Sequence, residues 1–259
     1  MIELNKIYNE DCLEGMKRIP GGSIDMILCD LPYGTTANKW DSVLPFDKLW
    51  KQYERVIKDN GVIALTANQG FVKQVIDSNT NLYRYKWIWV KNNATNFMNA
   101  KNRPMSQFEE VLMFSKGRTA NGSNNKMVYY PQGLIKLGKE QKNADSSFKN
   151  NARDWKKRPE IYVQEYTNYP TDILRFDYDK NTFHPTQKPV ALFEYLIKTY
   201  TNKGETVLDN CMGSGTTAIA CLNTERNFIG FETNKEYYDK SLERIKNNVT
   251  QLDLFEEAK

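Results

Sequence analysis

Asp30-Leu31-Pro32-Tyr33 sets an acid, a proline-stiffened turn and an aromatic ring side by side, directly after a short apolar run. An amine on an aromatic heterocycle is a weak nucleophile, because its lone pair is delocalised into the ring. Hydrogen-bond acceptors that draw its protons favour a pyramidal nitrogen, and Asp30 with the Leu31 carbonyl would supply two of them. Tyr33 would then stack on an extruded base. The same tetrapeptide also occurs in ordinary turns, so a second motif is needed to give it meaning. Val207 to Ala220 (VLDNCMGSGTTAIA) is that motif: a strand, an acidic strand end, the turn Gly213-Ser214-Gly215 and a helix start. Such a layout lets backbone approach a ligand closely, and a side chain at Gly215 would crowd it. Ala218 stands where a dinucleotide fingerprint wants its third glycine, and no Lys precedes the Ser/Thr as a P-loop requires. Glu232, ending the next strand, sits where a carboxylate accepts both hydroxyls of a ribose.

Other chemistries have less to work with. His184 is the single histidine, and Cys12, Cys29, Cys211 and Cys221 match no zinc-ligand spacing, so metal-centred and nucleophilic hydrolase schemes are disfavoured and reduced thiols are expected. Standing beside a proline, His184 could serve as a catalytic base, a wall of a ligand site or a turn residue without a role. Net charge is only +4, but its distribution is uneven. Between Lys116 and Arg158, eleven Lys and Arg face only Glu140, Asp145 and Asp154, which leaves the segment at +8 and the remainder near −4. Asn, Gln, Ser and Gly fill the same stretch, with Tyr129, Tyr130, Phe148 and Trp155 interleaved. Lys126, Lys142, Lys149, Arg153, Lys156, Lys157 and Arg158 are its candidate phosphate contacts. A solvated surface loop would have much the same composition.

The elements that must carry these residues follow from apolar periodicity. Ser23 to Cys29 and Gly61 to Ala67 are too short for helices and read as buried strands, joined by an amphipathic helix over Phe46 to Asp59. A helix from about Gly70 to Ser78 precedes strands at Tyr85 to Val90 and Glu110 to Ser115, where the alternating Tyr85, Trp87 and Trp89 read as core. Past the basic segment come a helix at 189–201, a strand at 206–210, a helix at 216–223, a strand at 227–232 and a helix at 234–247. Strand and helix alternation of this kind predicts an α/β fold with a parallel sheet, in which ligands bind beyond the carboxyl ends of strands. With 259 residues, 40% of them hydrophobic, the chain can bury a sizeable core. No apolar run spans a bilayer and residues 1–11 show no secretory pattern, so a soluble, cytoplasmic protein is expected.

Taken together, the motifs resemble those of the β class of amino-group DNA methyltransferases. DLPY at 30–33 resembles that family's catalytic D-P-P-Y, and DNCMGSGTT at 209–217 resembles its S-adenosylmethionine turn D-P-F-x-G-S-G-T-T. FHPTQKP at 183–189, FETNKEYYDKSLERI at 231–245 and NEDCLEGM at 9–16 resemble the segments that meet the cofactor's methionine carboxylate, ribose and adenine. Leu31 stands where the family has its second proline, and Asn210 and Cys211 where it has Pro and Phe. The resemblance implies a Rossmann-like methyltransferase sheet in circularly permuted order: a catalytic half at 1–116, a target recognition insert at 117–180 and a cofactor half at 181–259. It makes Asp30, Leu31, Pro32 and Tyr33 the catalytic set. Asp11 and Cys12 would meet adenine, Glu232 and Thr233 the ribose, and Thr186, Gln187 and Lys188 the carboxylate end beside His184. Asp209, Asn210, Cys211, Gly213, Ser214, Gly215, Thr216 and Thr217 would form the cofactor turn. The implied reaction is transfer of a methyl group from S-adenosylmethionine to N6 of an adenine flipped from double-stranded DNA, without a metal. Alternatives are N4 of cytosine, or an inactive DNA-binding subunit of the same fold. A homodimer and a cognate restriction endonuclease are the partners such proteins often have.

Overall fold

In the computed structural model of the protein, which describes residues 2–34, 42–142, 161–180, 182 and 186–257, strand β2 (Ile24–Cys29) is buried at all six positions. Its alternate residues divide between two layers. Met26 and Leu28 pack with Leu192, Phe193 and Ile197, whereas Ile27 and Cys29 pack with Leu49, Trp50 and Tyr53. A strand covered on both faces is mostly apolar, which is why Met26 to Cys29 show no alternation, and the one buried charge near its start, Asp25, accepts from Lys58 and from the Thr206 N–H at 3.0 Å. Removing most of the fully buried Ile27 side chain (Ile27→Ala) should destabilise the fold by roughly 2–5 kcal/mol, read from the urea midpoint.

Strands β1 (Lys6–Tyr8), β3 (Ile57–Ala67), β4 (Tyr83–Thr95), β5 (Ser106–Phe114), β8 (Ile173–Arg175), β9 (Thr206–Asp209) and β10 (Asn227–Phe231) complete an eight-stranded sheet in the order β1-β10-β9-β2-β3-β5-β4-β8. Helices α2 (Phe46–Val56), α3 (Gln69–Ser78), α4 (Val190–Tyr200), α5 (Thr216–Asn223) and α6 (Lys235–Glu257) lie where the periodicity places them, with α6 running longer than predicted. The helix expected to reach Asp59 ends at Val56 and the chain enters β3 at once. The short β1, β8 and α1 (Cys12–Gly15) escape the sequence reading, because three or four residues show no period.

The sheet is not wholly parallel. β5 runs antiparallel to both β3 and β4, while the remaining pairings are parallel. Only residues 96–105 join β4 to β5, fewer than the dozen or more needed to cross over a sheet face, so the chain turns back on itself. Asn96 takes a left-handed conformation, φ 77°, at the start of that turn. The alternating Trp87 and Trp89 are buried as expected, and their indole N–H groups donate to the Tyr200 hydroxyl at 2.6 Å and the Phe176 carbonyl at 2.8 Å.

Two compact units make up the chain. One comprises Met1–Tyr130 and Asp172–Lys259, the other Pro131–Thr171. Within the predicted insert at 117–180, the flanks belong to the sheet unit: Met127 is buried in its core, and β8 extends the sheet beside β4. The second unit is built on the antiparallel ribbon of β6 (Ile135–Lys142) and β7 (Ile161–Thr167), where Asn168 donates to the Gly133 carbonyl at 2.7 Å. Lys126 is exposed, Lys142 ends β6, and Lys149, Arg153, Lys156, Lys157 and Arg158 lie outside the described residues. Among the described residues no helix is long and apolar enough to cross a membrane, and no group of three or more His, Cys, Asp and Glu could hold a metal ion.

Candidate active site

Strand order reverses between β9 and β2. From β9 the chain proceeds to β10 on one side, and from β2 to β3 on the other, with Met26 paired to Val207 and Ile27 to Leu208 at the seam. A reversal of this kind opens a crevice at the carboxyl ends of the two strands. Asp30 and Asp209 stand at those two ends, 179 positions apart in the chain. A cavity of about 570 Å³ lies there, lined by Asp30 to Tyr33, Asp11, Cys12, Thr186 to Lys188, Asp209 to Ser214, Thr216, Thr217, Glu232 and Thr233. His184 lies outside the described residues.

Each half of the cavity is built by local hydrogen bonds. Gly213 (φ 52°) and Gly215 (φ 78°) both adopt left-handed backbone, which lets the chain leave β9 and enter α5 within a few residues. Asp209 fixes the turn, its carboxylate accepting from the Cys211 N–H at 3.0 Å and from the Thr217 hydroxyl. Gly213 N–H donates to one Glu232 oxygen at 2.8 Å and Asn234 N–H to the other at 2.7 Å, so Glu232 is oriented by backbone with lone pairs to spare. Burial raises the Glu232 carboxyl, against the pull of those backbone donors. Gly215 does not line the cavity: a Cβ built on it would lie 3.1 Å from the Ser241 Cβ on α6. Asp11 caps α1, accepting from Leu13 N–H at 2.8 Å and Glu14 N–H at 3.2 Å.

Asn210 and Cys211, the departures from the family turn, have a structural use. The Asn210 side chain accepts from the buried Tyr53 hydroxyl and donates to the sulfurs of Cys12 at 3.7 Å and Cys211 at 3.4 Å, tying the turn to α1 and α2. Hydrogen bonding to Cys12 and Cys29, with burial, pushes the Cys211 thiol well up, and burial takes Cys29 to about 12. These thiols are therefore protonated near neutral pH. Arg244 on α6, absent from the sequence reading, donates to the Ser214 carbonyl at 3.0 Å and the Thr216 hydroxyl at 3.1 Å and supports the turn from behind.

Burial also pushes the Asp209 carboxyl up to about 6, although the Thr217 and Cys211 donors favour its ionised form. A carboxyl raised above its unfolded value of about 3.9 favours folding while protonated, and this contribution is lost as pH rises from about 4 through about 6. Asp209→Asn should remove that slope, so that stability of the variant relative to wild type increases across this window, by an amount on the order of 3 kcal/mol. Parallel denaturant curves at pH 4.5 and 7.5 check it; a pH-independent difference would contradict it.

At the end of β2, Asp30 is the centre of a charged cluster. One oxygen accepts from the Tyr33 hydroxyl at 2.8 Å and from Thr66, and the other from Lys188 Nζ at 2.6 Å. Lys188, expected at the cofactor carboxylate, thus has its ammonium on Asp30 and 3.4 Å from Glu109, which in turn pairs with Lys91 at 3.2 Å. Burial opposes the Lys188 charge, but Asp30, Tyr33 and Glu109 together outweigh it and hold its pKa well above the ordinary lysine value. Burial, then the Asp30 charge, pushes the Tyr33 phenol well up, so it stays a donor. One side of the Tyr33 ring packs on Phe71, centroids 4.8 Å apart. Leu31 is buried, leaving its backbone as its polar contribution. Thr66, Lys91 and Glu109 are not singled out by the sequence motifs.

An open sheet that reverses its order at a cavity built from a glycine turn and a strand-end acid places the molecule in the Rossmann-like class of nucleotide-cofactor folds. Residues 24–243 match the model of the N6/N4 DNA methylase family, and the chain belongs to that family. It is 28% identical over 259 residues to the type II methyltransferase M1.MboII of Moraxella bovis, covering 93% of this chain and 96% of that protein. It is likewise 28% identical over 260 residues to the DNA adenine methyltransferase YhdJ of Escherichia coli K12, covering 94% of this chain and 83% of that one. The crystal structure of the M1.HpyAVI–SAM complex aligns with a TM-score of 0.60 at 26% identity, over 92% of this chain and 98% of that chain.

Proposed function

We propose that the protein transfers a methyl group from S-adenosylmethionine to N6 of an adenine extruded from double-stranded DNA. The observation that carries this reading is the Asp30 carboxylate, braced by Tyr33, Thr66 and Lys188, in the same cavity as the Gly213–Gly215 turn and Glu232. That cavity suits the cofactor: Gln187, one of its lining residues, has a side-chain oxygen that is buried without a hydrogen-bond partner among the described residues, an unused acceptor at a site for a donor such as the methionine ammonium. Glu232 would take the ribose hydroxyls, Thr233 would flank them, and Asp11 and Cys12 would border the adenine. Thr186 with the Gly213 to Thr217 turn would meet the methionine end. When bound, the cofactor supplies an electrophilic methyl group on a positively charged sulfur.

Asp30 and the Leu31 carbonyl accept the two amine protons, which pulls the amine lone pair out of the ring and aims it at the methyl carbon. Tyr33 and Pro32 bound the base. As the new N–C bond forms, the methyl–sulfur bond breaks and its electron pair neutralises the sulfur, while the nitrogen becomes positive and releases a proton to Asp30. Adenine is favoured over cytosine because the motif opens with Asp, and because YhdJ, a relative across 94% of this chain, is named an adenine methyltransferase. Purified protein incubated with labelled cofactor and plasmid DNA should yield labelled N6-methyladenine on digestion to nucleosides. Label in N4-methylcytosine would replace the base assignment, and cofactor binding without transfer would indicate an inactive subunit.

The insert would hold the DNA. Its ribbon exposes Lys136 and Lys139 beside Tyr162 and Tyr166, the mixture of cation and aromatic ring that suits phosphates and bases. Replacing Lys156, Lys157 and Arg158 with alanine should lower the slope of log affinity against log salt by roughly 0.9 for each phosphate that is no longer neutralised. An unchanged slope, measured by fluorescence anisotropy on a duplex, would reject their placement on the backbone.

A further inference from the structure

We propose that Glu109 is a positioning residue of the transfer centre, holding a second berth for the Lys188 ammonium so that Asp30 can receive the amine proton. This inference rests on the amine-methylation reading above.

The lone pairs of Asp30 show where the amine must arrive. Oδ1 already accepts from the Tyr33 hydroxyl at 2.8 Å and from Thr66, whereas Oδ2 accepts from Lys188 at 2.6 Å. A carboxylate oxygen offers about two acceptor sites, so the vacant one lies on Oδ2, beside the ammonium. Lys188 therefore sits next to the atom that takes the proton. Its side chain is only 6% exposed, and a buried ammonium without a counter-ion is strongly destabilising.

Glu109 meets that need. Its Oε2 stands 3.4 Å from Lys188 Nζ, buried and without a hydrogen-bond partner among the described residues, while its Oε1 is held by Lys91 at 3.2 Å. The four groups alternate in sign, Lys91, Glu109, Lys188 and Asp30, and sum to zero. During transfer one N–H bond of the methylated amine breaks and one O–H bond forms on Asp30, so the nitrogen loses its positive charge and Asp30 its negative charge. Lys188 then shifts toward the unspent Glu109 oxygen, and returns when Asp30 releases the proton to water. Buried ion pairs add little to stability compared with apolar residues of similar shape, so a purely structural Glu109–Lys91 pair would have no need of an unsatisfied oxygen facing Lys188.

The test compares Glu109→Gln, and the neutral double variant Glu109→Gln/Lys91→Met, with wild type on plasmid DNA and S-adenosylmethionine. Glu109→Gln should lower kcat by about 100-fold while KM for DNA and the Kd for the cofactor stay within about threefold. The double variant should recover part of the loss, to about tenfold below wild type, because it no longer buries an unpaired Lys91. Should the single variant fail to fold, the double variant, which keeps the Asp30–Lys188 pair and overall neutrality, still reads the effect on kcat. Wild-type kcat in the double variant, or a loss expressed in KM alone, would overturn the proposal while leaving the methyltransferase reading intact. A folded wild type that methylates no DNA would overturn both.

Discussion

Asp30→Ala is expected to abolish methyl transfer, with kcat falling by roughly 10²–10⁴-fold, while cofactor affinity changes little. The separation follows from position. Asp30 follows β2, whereas the Gly213–Gly215 turn and Glu232 follow β9 and β10 and are joined to each other by the Gly213 N–H, with Arg244 on the Ser214 carbonyl and Asp209 holding the flanking Cys211 and Thr217. Losing the carboxylate takes away the amine acceptor and the nearer partner of Lys188, yet Lys188 keeps Glu109 at 3.4 Å, so the fold should survive. Asp30→Asn retains an acceptor without the charge and should fall between the two. Calorimetric cofactor binding alongside turnover decides the matter: comparable activity in Asp30→Ala would remove the residue from the chemistry, and lost cofactor binding would make its role architectural.

Gly215→Val should eliminate cofactor binding and lower thermal stability together. The turn sequence suggests crowding of the ligand, but the geometry points elsewhere. Gly215 holds φ at 78°, and its added Cβ would stand 3.1 Å from the Ser241 Cβ. A β-branched residue at that φ adds about 1–3 kcal/mol of backbone strain, and pressing on α6 adds a similar amount. Because Arg244 on the same helix braces Ser214 and Thr216, displacement of α6 would reach the cavity through the turn. Gly215→Ala should show the same two losses in smaller measure. Loss of affinity with an unchanged melting temperature would contradict this route and restore direct crowding.

Much of this is legible in the sequence, for physical reasons. Apart from Asp25 and Thr206, the buried strands β2 and β9 are apolar and lead into an acid, and the Gly-Ser-Gly turn is intelligible only where backbone takes positive φ. Fold class and the two motifs at the strand ends can therefore be read from residue order. The direction of β5 cannot, because an apolar strand carries no mark of its orientation and only the length of its connection sets it. The motif around Lys188 places it at the cofactor, but its ammonium is claimed by two carboxylates distant in sequence. Lys91 and Glu109 do leave a trace. Trp87, Trp89 and Lys91 alternate on β4, as Glu109, Val111 and Met113 do on β5, so both charges continue a buried face, and a charge there calls for a partner. Which partner each charge takes depends on register, Trp89 lying opposite Glu109, and that is a property of the folded sheet.

The reaction proposed for this chain is methylation of adenine N6 in DNA. Its most direct test is to express the protein in a bacterial host lacking DNA methylation and to sequence the genomic DNA by a method that detects modified bases. N6-methyladenine at a discrete sequence motif, absent from cells carrying Asp30→Ala, is the predicted result. N4-methylcytosine at such a motif, or unmodified DNA despite folded protein, would contradict it.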